Sequence, residues 1–311
     1  MTNVLITGGA GFIGVHLVDH LLEVGGYDVT VIDNESLGDS RNLDLDRVRF
    51  IAGDLRDPVA TRDAVAGQDA VVHLAADTRV MDSIEDPAHN FDNNVVASFQ
   101  LLQLSREAGV RRVVAASTGG AILGDVPPPV HEEMAPAPTS PYGASKLMLE
   151  GYLSAFAASY GLSTCALRFS NIYGPRSFHK GSVVAHFYKQ VLAGEQLTVY
   201  GDGSQARDFL YAGDLVAAIR QAIGSDATGA YQLGCGAPTT VNELLDLMSR
   251  VTGRELDARY LPFRDGEVRK TWCRIDKARE VLGFEPTTSL EQGLRATWDW
   301  FVQQPAPAAR P

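Results

Sequence analysis

Three glycines spaced three apart, set between a short apolar run and a longer amphipathic one, constrain this chain more than any other feature. In "VLITGGAGFIGVHLV", Gly8, Gly11 and Gly14 follow an apolar run and open a stretch with apolar residues at helical spacing. A strand, a glycine turn and a helix in that order make the phosphate corner of a dinucleotide-binding fold. Gly8 permits the tight turn. Gly11 lets a pyrophosphate approach the backbone, and Gly14 lets the helix pack close on the strand. Phe12 and Ile13 then open the helix whose positive N-terminus faces the phosphates. Asp33 ends the next β-branched run, "DVTVIDN", roughly twenty residues on, as the motif requires. There, with Asn34 beside it, it would accept hydrogen bonds from the adenosine ribose and repel a 2′-phosphate. That favours NAD over NADP. Arg41, a little further on, is the one residue that points the other way.

The rest of the first half repeats the alternation. Strand patterns at "VRFIAGDLRD", "DAVVHLAA", "RRVVAAST" and "LSTCALRFSNIYG" are separated by helical ones, notably Asn94 to Gly109 and Tyr142 to Tyr160. The expected class is α/β: a Rossmann, doubly wound parallel sheet covered on both faces, with a smaller mixed domain after it. The boundaries predicted are residues 1–174 for the nucleotide domain, with elements returning near 208–235, and 175–304 for the substrate domain. The Pro/Ala-rich residues 305–311 read as a disordered tail. Asp54 and Leu55 end the third strand, where an adenine ring would lie. Leu74, Ala75 and Ala76 end the fourth, where small side chains let a cofactor rest on the backbone.

Composition excludes several alternatives. A net charge of −11 over 311 residues argues against a nucleic-acid or anionic-membrane surface. Cys165, Cys235 and Cys273 have neither metal nor redox spacing and read as reduced thiols of a cytoplasmic protein. No basic-then-apolar leader and no run long enough to span a membrane occurs. His16 and His20 stand four apart on the first helix with no third ligand, so no metal is expected. His73, inside a strand, reads as a satisfied core residue.

The chemistry is expected in "STGGAILGD" and "SPYGASK". Pro141 suits a first helical turn behind a Ser140 or Thr139 cap, and Tyr142 and Lys146 then share a helical face. A nearby ammonium and an oxidised nicotinamide would draw the phenol's pKa down from its usual value near 10. Tyr142 could then take a proton from a sugar hydroxyl. The plain alternative is an exposed tyrosine and a solvated lysine on an ordinary helix.

With "TGGAGFIG", "YGASK", "LRFSNIYGPR" and "YGDGSQARDFLYAGDL" all present, the chain resembles the extended short-chain dehydrogenase/reductases of the NAD-dependent epimerase/dehydratase family over nearly its whole length. The resemblance implies a nucleotide-sugar substrate, retained NAD and a homodimer formed through a four-helix bundle. It assigns Tyr142 and Lys146 as the catalytic pair and Thr118 or Ser117 as the hydroxyl that grips the reacting sugar oxygen. It places Phe169 beside the nicotinamide and Asn94 near cofactor and substrate. It places Asn171, Ser182 and Val183 along the substrate, Thr198 and Tyr200 about the nucleotide base, and Arg207 and Arg264 on the diphosphate. Arginine suits that last task because its fork makes bidentate, charge-assisted hydrogen bonds.

Related dehydratases carry an Asp-Glu pair just after the hydroxyl, and related decarboxylases a Glu. Here Gly119 and Gly120 stand instead. The course expected is therefore C4 epimerisation of a UDP-sugar: oxidation to a 4-keto sugar, then reduction on the opposite face. The alternative is a UDP-glucuronate-type epimerase/decarboxylase or another dehydratase using the same intermediate; outside enzymes, a dinucleotide sensor. Leu123 replaces a tyrosine common in the family, and Arg79 would either pair a uronate carboxylate or form a surface ion pair.

Overall fold

A computed structural model describes residues 1–263 and 269–304. Arg264 and residues 305–311 lie outside the described residues. In chain order the elements are β1 (Thr2–Thr7), α1 (Phe12–Val24), β2 (Tyr27–Asp33), β3 (Arg49–Ala52), α2 (Pro58–Val65), β4 (Ala70–His73), α3 (Val80–Glu85), α4 (Pro87–Phe91), α5 (Ala97–Glu107), β5 (Arg112–Thr118), α6 (Pro141–Tyr160) and β6 (Ser163–Phe169). There follow β7 (Asn171–Tyr173), α7 (Val183–Ala193), β8 (Leu197–Tyr200), β9 (Ala206–Arg207), β10 (Phe209–Tyr211), α8 (Ala212–Ile223), β11 (Gly229–Leu233), β12 (Thr239–Thr240), α9 (Val241–Thr252), β13 (Ala258–Leu261), α10 (Asp276–Leu282) and α11 (Leu290–Phe301).

The central sheet has seven strands in the order β11-β6-β5-β4-β1-β2-β3, and every pairing within it is parallel. The strand order reverses between β1 and β4, the crevice where doubly wound sheets bind ligands. β1 and β4 are almost entirely buried, because helices cover both faces. One core cluster (Val15, Leu17, Ile219, Leu233 and neighbours) fills the face under α1 and α8. A second (Leu101, Leu149, Leu153, Phe156 and neighbours) fills the face under α5 and α6. A third, around Tyr188, Leu244, Trp298 and Phe301, belongs to the helices and small sheets of the later part.

The chain does not simply leave the first half after Gly174. β11 pairs with β6 in register Leu233↔Phe169, and α8 joins α1 on the same face. The single run "LSTCALRFSNIYG" is broken at Ser170, so β7 leaves the main sheet and pairs with β10. The helix expected from Asn94 starts as a π-helical turn, Asp92–Val96, and becomes α-helical only at Ala97. α2, α3 and α4 are too short to make a periodic signal of their own.

Candidate active site

The glycine corner is built to receive a phosphate group. Gly8 has φ +69°, and a Cβ there would stand 2.7 Å from the Ala75 nitrogen. At Gly14 a Cβ would stand 2.5 Å from the Gly8 oxygen and the Gly9 Cα, so helix and turn can touch only without a side chain. Gly11 is the N-cap of α1 and offers no side chain to its N–H groups, and the first turn holds no acid. No side chain caps these donors, which fits a pyrophosphate. Phe12 is buried and Ile13 half-buried behind them.

Asp33 ends β2 beside this corner. Its Oδ2 accepts from the Ala10 N–H at 3.0 Å and its Oδ1 from the Glu35 N–H at 2.7 Å. Burial raises its pKa, and the two backbone bonds act against that rise. The carboxylate therefore braces the glycine turn itself. Asn34 donates to Asp54 Oδ2 at 2.9 Å, and the Arg56 guanidinium holds the Asp54 carboxyl far below the usual carboxylate range. Arg41 turns away into an exposed ion pair with Asp39 at 2.5 Å. Leu74, Ala75 and Ala76 are half-buried past the end of β4, and Leu55 is buried past β3.

The helix α6 is anchored at its start. Ser140 Oγ accepts from the Gly143 N–H at 3.2 Å, and Pro141 occupies the first turn. Lys146 is buried, and its Nζ donates to the Ala116 carbonyl on β5 at 3.0 Å. Burial lowers its pKa to about 8. Burial likewise pushes the Tyr142 phenol up to about 12; Thr118 opposes this rise and Asp77 adds to it. In the protein alone, desolvation thus outweighs the lowering expected from sequence. Only added positive charge or a bound partner for the phenolate would reverse it.

The two hydroxyls of β5 part company. Successive residues of a strand face opposite sides, and only Thr118 lies on the Tyr142 side. Ser117 is buried and donates to Glu150 Oε1 at 2.6 Å. Arg168 grips the same carboxylate at 2.9 and 2.8 Å. Of the pair Thr118 or Ser117, the structure leaves Thr118 facing the phenol, and Ser117 serves the packing of α6 on the sheet. Sequence adjacency had not pointed to Glu150 and Arg168, although Glu150 lies one helical turn beyond Lys146.

One more group, Asp77, escapes a reading by adjacency, and Asn94, expected near cofactor and substrate, holds it. Asn94 clamps the Asp77 backbone, accepting from its N–H at 2.7 Å and donating to its carbonyl at 2.8 Å, and also donates to Ser145 Oγ at 3.2 Å. It thereby ties the end of β4 to the residue before Lys146. Asp77, so held, is a carboxylate whose charge reaches Tyr142. An acid is absent next to Thr118 in sequence but not from its surroundings in space.

Gly119 leaves little room for a side chain. A Cβ there would stand 2.8 Å from Gln232 Oε1 and 3.2 Å from the Phe169 oxygen. The Gly119 N–H donates to that oxygen at 2.9 Å, which sets half-buried Phe169 at the edge of the site. Leu123 is fully buried in the first core cluster, so it packs the interior and does not touch a ligand. Arg79 is exposed and pairs with Asp82 at 3.3 Å.

Across the crevice, Asn171 is exposed on β7, while Ser182 caps α7 just before Val183 and has a buried Oγ without a hydrogen-bond partner. Thr198 and Tyr200 face outward and half-buried from β8, while Leu197 and Val199 point to the core. Arg207 Nη1 donates to the Ala206 and Arg269 carbonyls at 3.0 and 3.2 Å. Its neighbour Asp208 spends its carboxylate on the N–H groups of Cys235, Gly236 and Cys273. His73 is the satisfied core residue expected: Nδ1 meets Thr7 Oγ1 and Nε2 meets Ser98 Oγ, each at 2.8 Å, and burial lowers its pKa to about 3. His16 pairs with the Pro175 carbonyl and His20 with Arg220. No group of three or more potential metal ligands occurs among the described residues.

The model of the NAD dependent epimerase/dehydratase family matches residues 4–234. The UDP-glucose 4-epimerase of Mycolicibacterium smegmatis is 36% identical over 306 residues, 96% of this chain and 97% of that protein. The structure of Thermotoga maritima UDP-glucose 4-epimerase with UDP-glucose superposes with a TM-score of 0.93 at 40% identity, covering 97% of this chain and 99% of the other. The Thermus thermophilus UDP-glucose 4-epimerase complex with NAD has a TM-score of 0.91 at 37% identity, with coverage of 97% and 99%.

Proposed function

The chain belongs to the NAD dependent epimerase/dehydratase family, and on that premise we propose that it is an NAD-dependent UDP-sugar 4-epimerase, an isomerase. The observation that carries this reading is the convergence of Thr118, Tyr142 and Lys146 at the carboxyl end of β5, beside a glycine corner shaped for a pyrophosphate. NAD is held by Gly8, Gly11, Phe12, Ile13 and Gly14 at its phosphates, by Asp33 and Asn34 at its ribose, and by Asp54, Leu55 and Leu74 to Ala76 along its adenosine half. When bound, it supplies a reversible acceptor for the hydrogen leaving sugar C4.

Thr118 holds the 4-hydroxyl, and Tyr142 takes its proton as the carbonyl forms. Lys146, fixed by the Ala116 carbonyl, keeps positive charge beside the phenolate. The 4-keto sugar then turns over, C4 takes its hydrogen back on the opposite face, and Tyr142 returns the proton to the 4-oxygen. No elimination is required, in keeping with the crowding at Gly119. Asn171, Ser182, Val183, Thr198, Tyr200, Arg207 and Arg264 bind the nucleotide and diphosphate; the unpartnered Ser182 Oγ supports this assignment. The sugar we assign is glucose and galactose.

We divide the chain into a nucleotide domain, 1–174 with its returning elements, and a substrate domain, 175–304. We further propose a homodimer through α5 and α6. Phe99, Tyr152 and Tyr160 stand exposed along them in mutual ring contact or beside Phe156, with Arg106 over Tyr160. That is an apolar face suited to an identical copy. No helix among the described residues is long and apolar enough to cross a membrane. With Cys165, Cys235 and Cys273 all free, we place the enzyme in the cytoplasm.

The test is a panel of UDP-sugars followed by proton NMR, with NADH absorbance read in parallel. Interconversion of UDP-glucose and UDP-galactose without net NADH is expected. Net NADH, released CO₂ or a dehydrated sugar would replace this reading with another use of the 4-keto sugar.

A further inference from the structure

Lys180 belongs to the loop between β7 and α7, on the substrate side, yet its side chain crosses to the glycine corner. Its Nζ stands 4.9 Å over the centre of the Phe12 ring. Phe12 is the first residue of α1, directly after the N-cap Gly11. An ammonium is thus held at the positive end of a helix, where the helix dipole opposes it. No hydrogen bond or ion pair to this ammonium occurs among the described residues. Burial lowers its pKa and no neighbouring charge contributes.

Among the described residues the surroundings supply no negative partner. The first turn of α1 has no acid. Asp19, the carboxylate further along α1, is already paired with Arg176 at 2.7 Å. Lys189 Nζ donates to the Lys180 carbonyl at 2.9 Å, and His179 feels Lys180, Lys189 and Arg79 together. A half-buried ammonium beside uncapped N–H groups is costly unless an anion lies between them. The aromatic ring fixes the ammonium in place without neutralising it.

We propose that Lys180 is a further cofactor-binding residue, whose ammonium closes over the dinucleotide's pyrophosphate at the N-terminus of α1 and so couples the substrate-side loop to the cofactor. This rests on the NAD-dependent reading above, though not on the identity of the sugar or on turnover.

The test uses the full-length protein freed of nucleotide, with Lys180→Gln and Lys180→Arg, titrated calorimetrically with NAD, adenosine and UDP separately. Lys180→Gln is expected to weaken NAD binding about tenfold or more, to leave adenosine and UDP unchanged, and to melt no lower than wild type without ligand. Lys180→Arg should keep most of the NAD affinity. Unchanged NAD binding in Lys180→Gln would overturn the proposal. So would a loss confined to UDP, which would assign the ammonium to the nucleotide sugar. A ligand-free Lys180→Gln that melts well below wild type would mark a structural lysine and overturn it too. Because no arm reads epimerisation, a wild type that fails to epimerise while Lys180→Gln loses NAD would contradict the proposed function alone.

Discussion

Ser117 Oγ donates to Glu150 Oε1 at 2.6 Å, and that carboxylate is itself gripped by Arg168. The bond ties β5 to α6 one helical turn beyond Lys146. Ser117 therefore supports the site from behind while Thr118 faces the phenol. Ser117→Ala should lower stability by about 1–3 kcal/mol, the usual worth of a hydrogen bond to a charged group, with little change in kcat. Thr118→Val, nearly isosteric, should lower kcat about tenfold or more with a smaller change in stability. Urea unfolding and turnover on the same preparations check both. Equal losses of kcat in the two variants would contradict the division of roles.

The glycine corner predicts a clean dissociation. Gly14→Ala places a methyl against backbone at 2.5 Å, which no side-chain rotation can relieve. It should cost about 1–3 kcal/mol of stability and lower NAD affinity further by pushing the turn out of place. Gly119→Ala meets the end of the flexible Gln232 side chain first. It should fold with a smaller loss, whereas Gly119→Glu should be markedly less stable and still produce no dehydrated sugar. Thermal melts with product analysis by mass spectrometry decide this.

The sheet and the cofactor corner were legible in the sequence because both rest on local signals. β-branched runs alternating with helical ones specify strands and crossovers, and Gly8, Gly11 and Gly14 act within one turn. Tyr142 and Lys146 were legible for the same reason, standing four apart on one helix. What could not be read was contact between distant segments. Asn94 reaches Asp77 and Ser145, Glu150 reaches Ser117 and Arg168, and Lys180 reaches Phe12. Only the packing of α6 and of the β7–α7 loop creates those neighbours. The pKa of Tyr142 illustrates the difference. The lowering expected from a lysine together with a bound oxidised nicotinamide belongs to the loaded site, whereas burial in the protein alone raises the value.

Two titrations follow from burial. Without ligand, Tyr142 should stay protonated through neutral and mildly alkaline pH, since its pKa is pushed up to about 12. The oxidised nicotinamide ring of NAD is cationic and should shift its ionisation downward. Ultraviolet difference titration of wild type against Tyr142→Phe, with and without NAD, measures this, and no shift on adding NAD would contradict it.

His73 is held neutral, its pKa lowered from 6.5 to about 3. Between those values the unfolded chain binds a proton there that the folded chain does not. Stability therefore rises with pH across this window and falls on acidification. His73→Gln should be less stable near neutral pH, losing partners at Thr7 and Ser98, yet lose less on going to about pH 5. Urea midpoints at the two pH values give the comparison; equal acid sensitivity would contradict it.

The central claim is that hydrogen leaves sugar C4 and returns to the same carbon. UDP-galactose deuterated at C4, incubated with the enzyme in ordinary water, tests it directly. Retention of deuterium at C4 of the UDP-glucose formed, read by NMR and mass spectrometry, is the predicted result. Loss of that deuterium to solvent would show a deprotonation route and contradict the account.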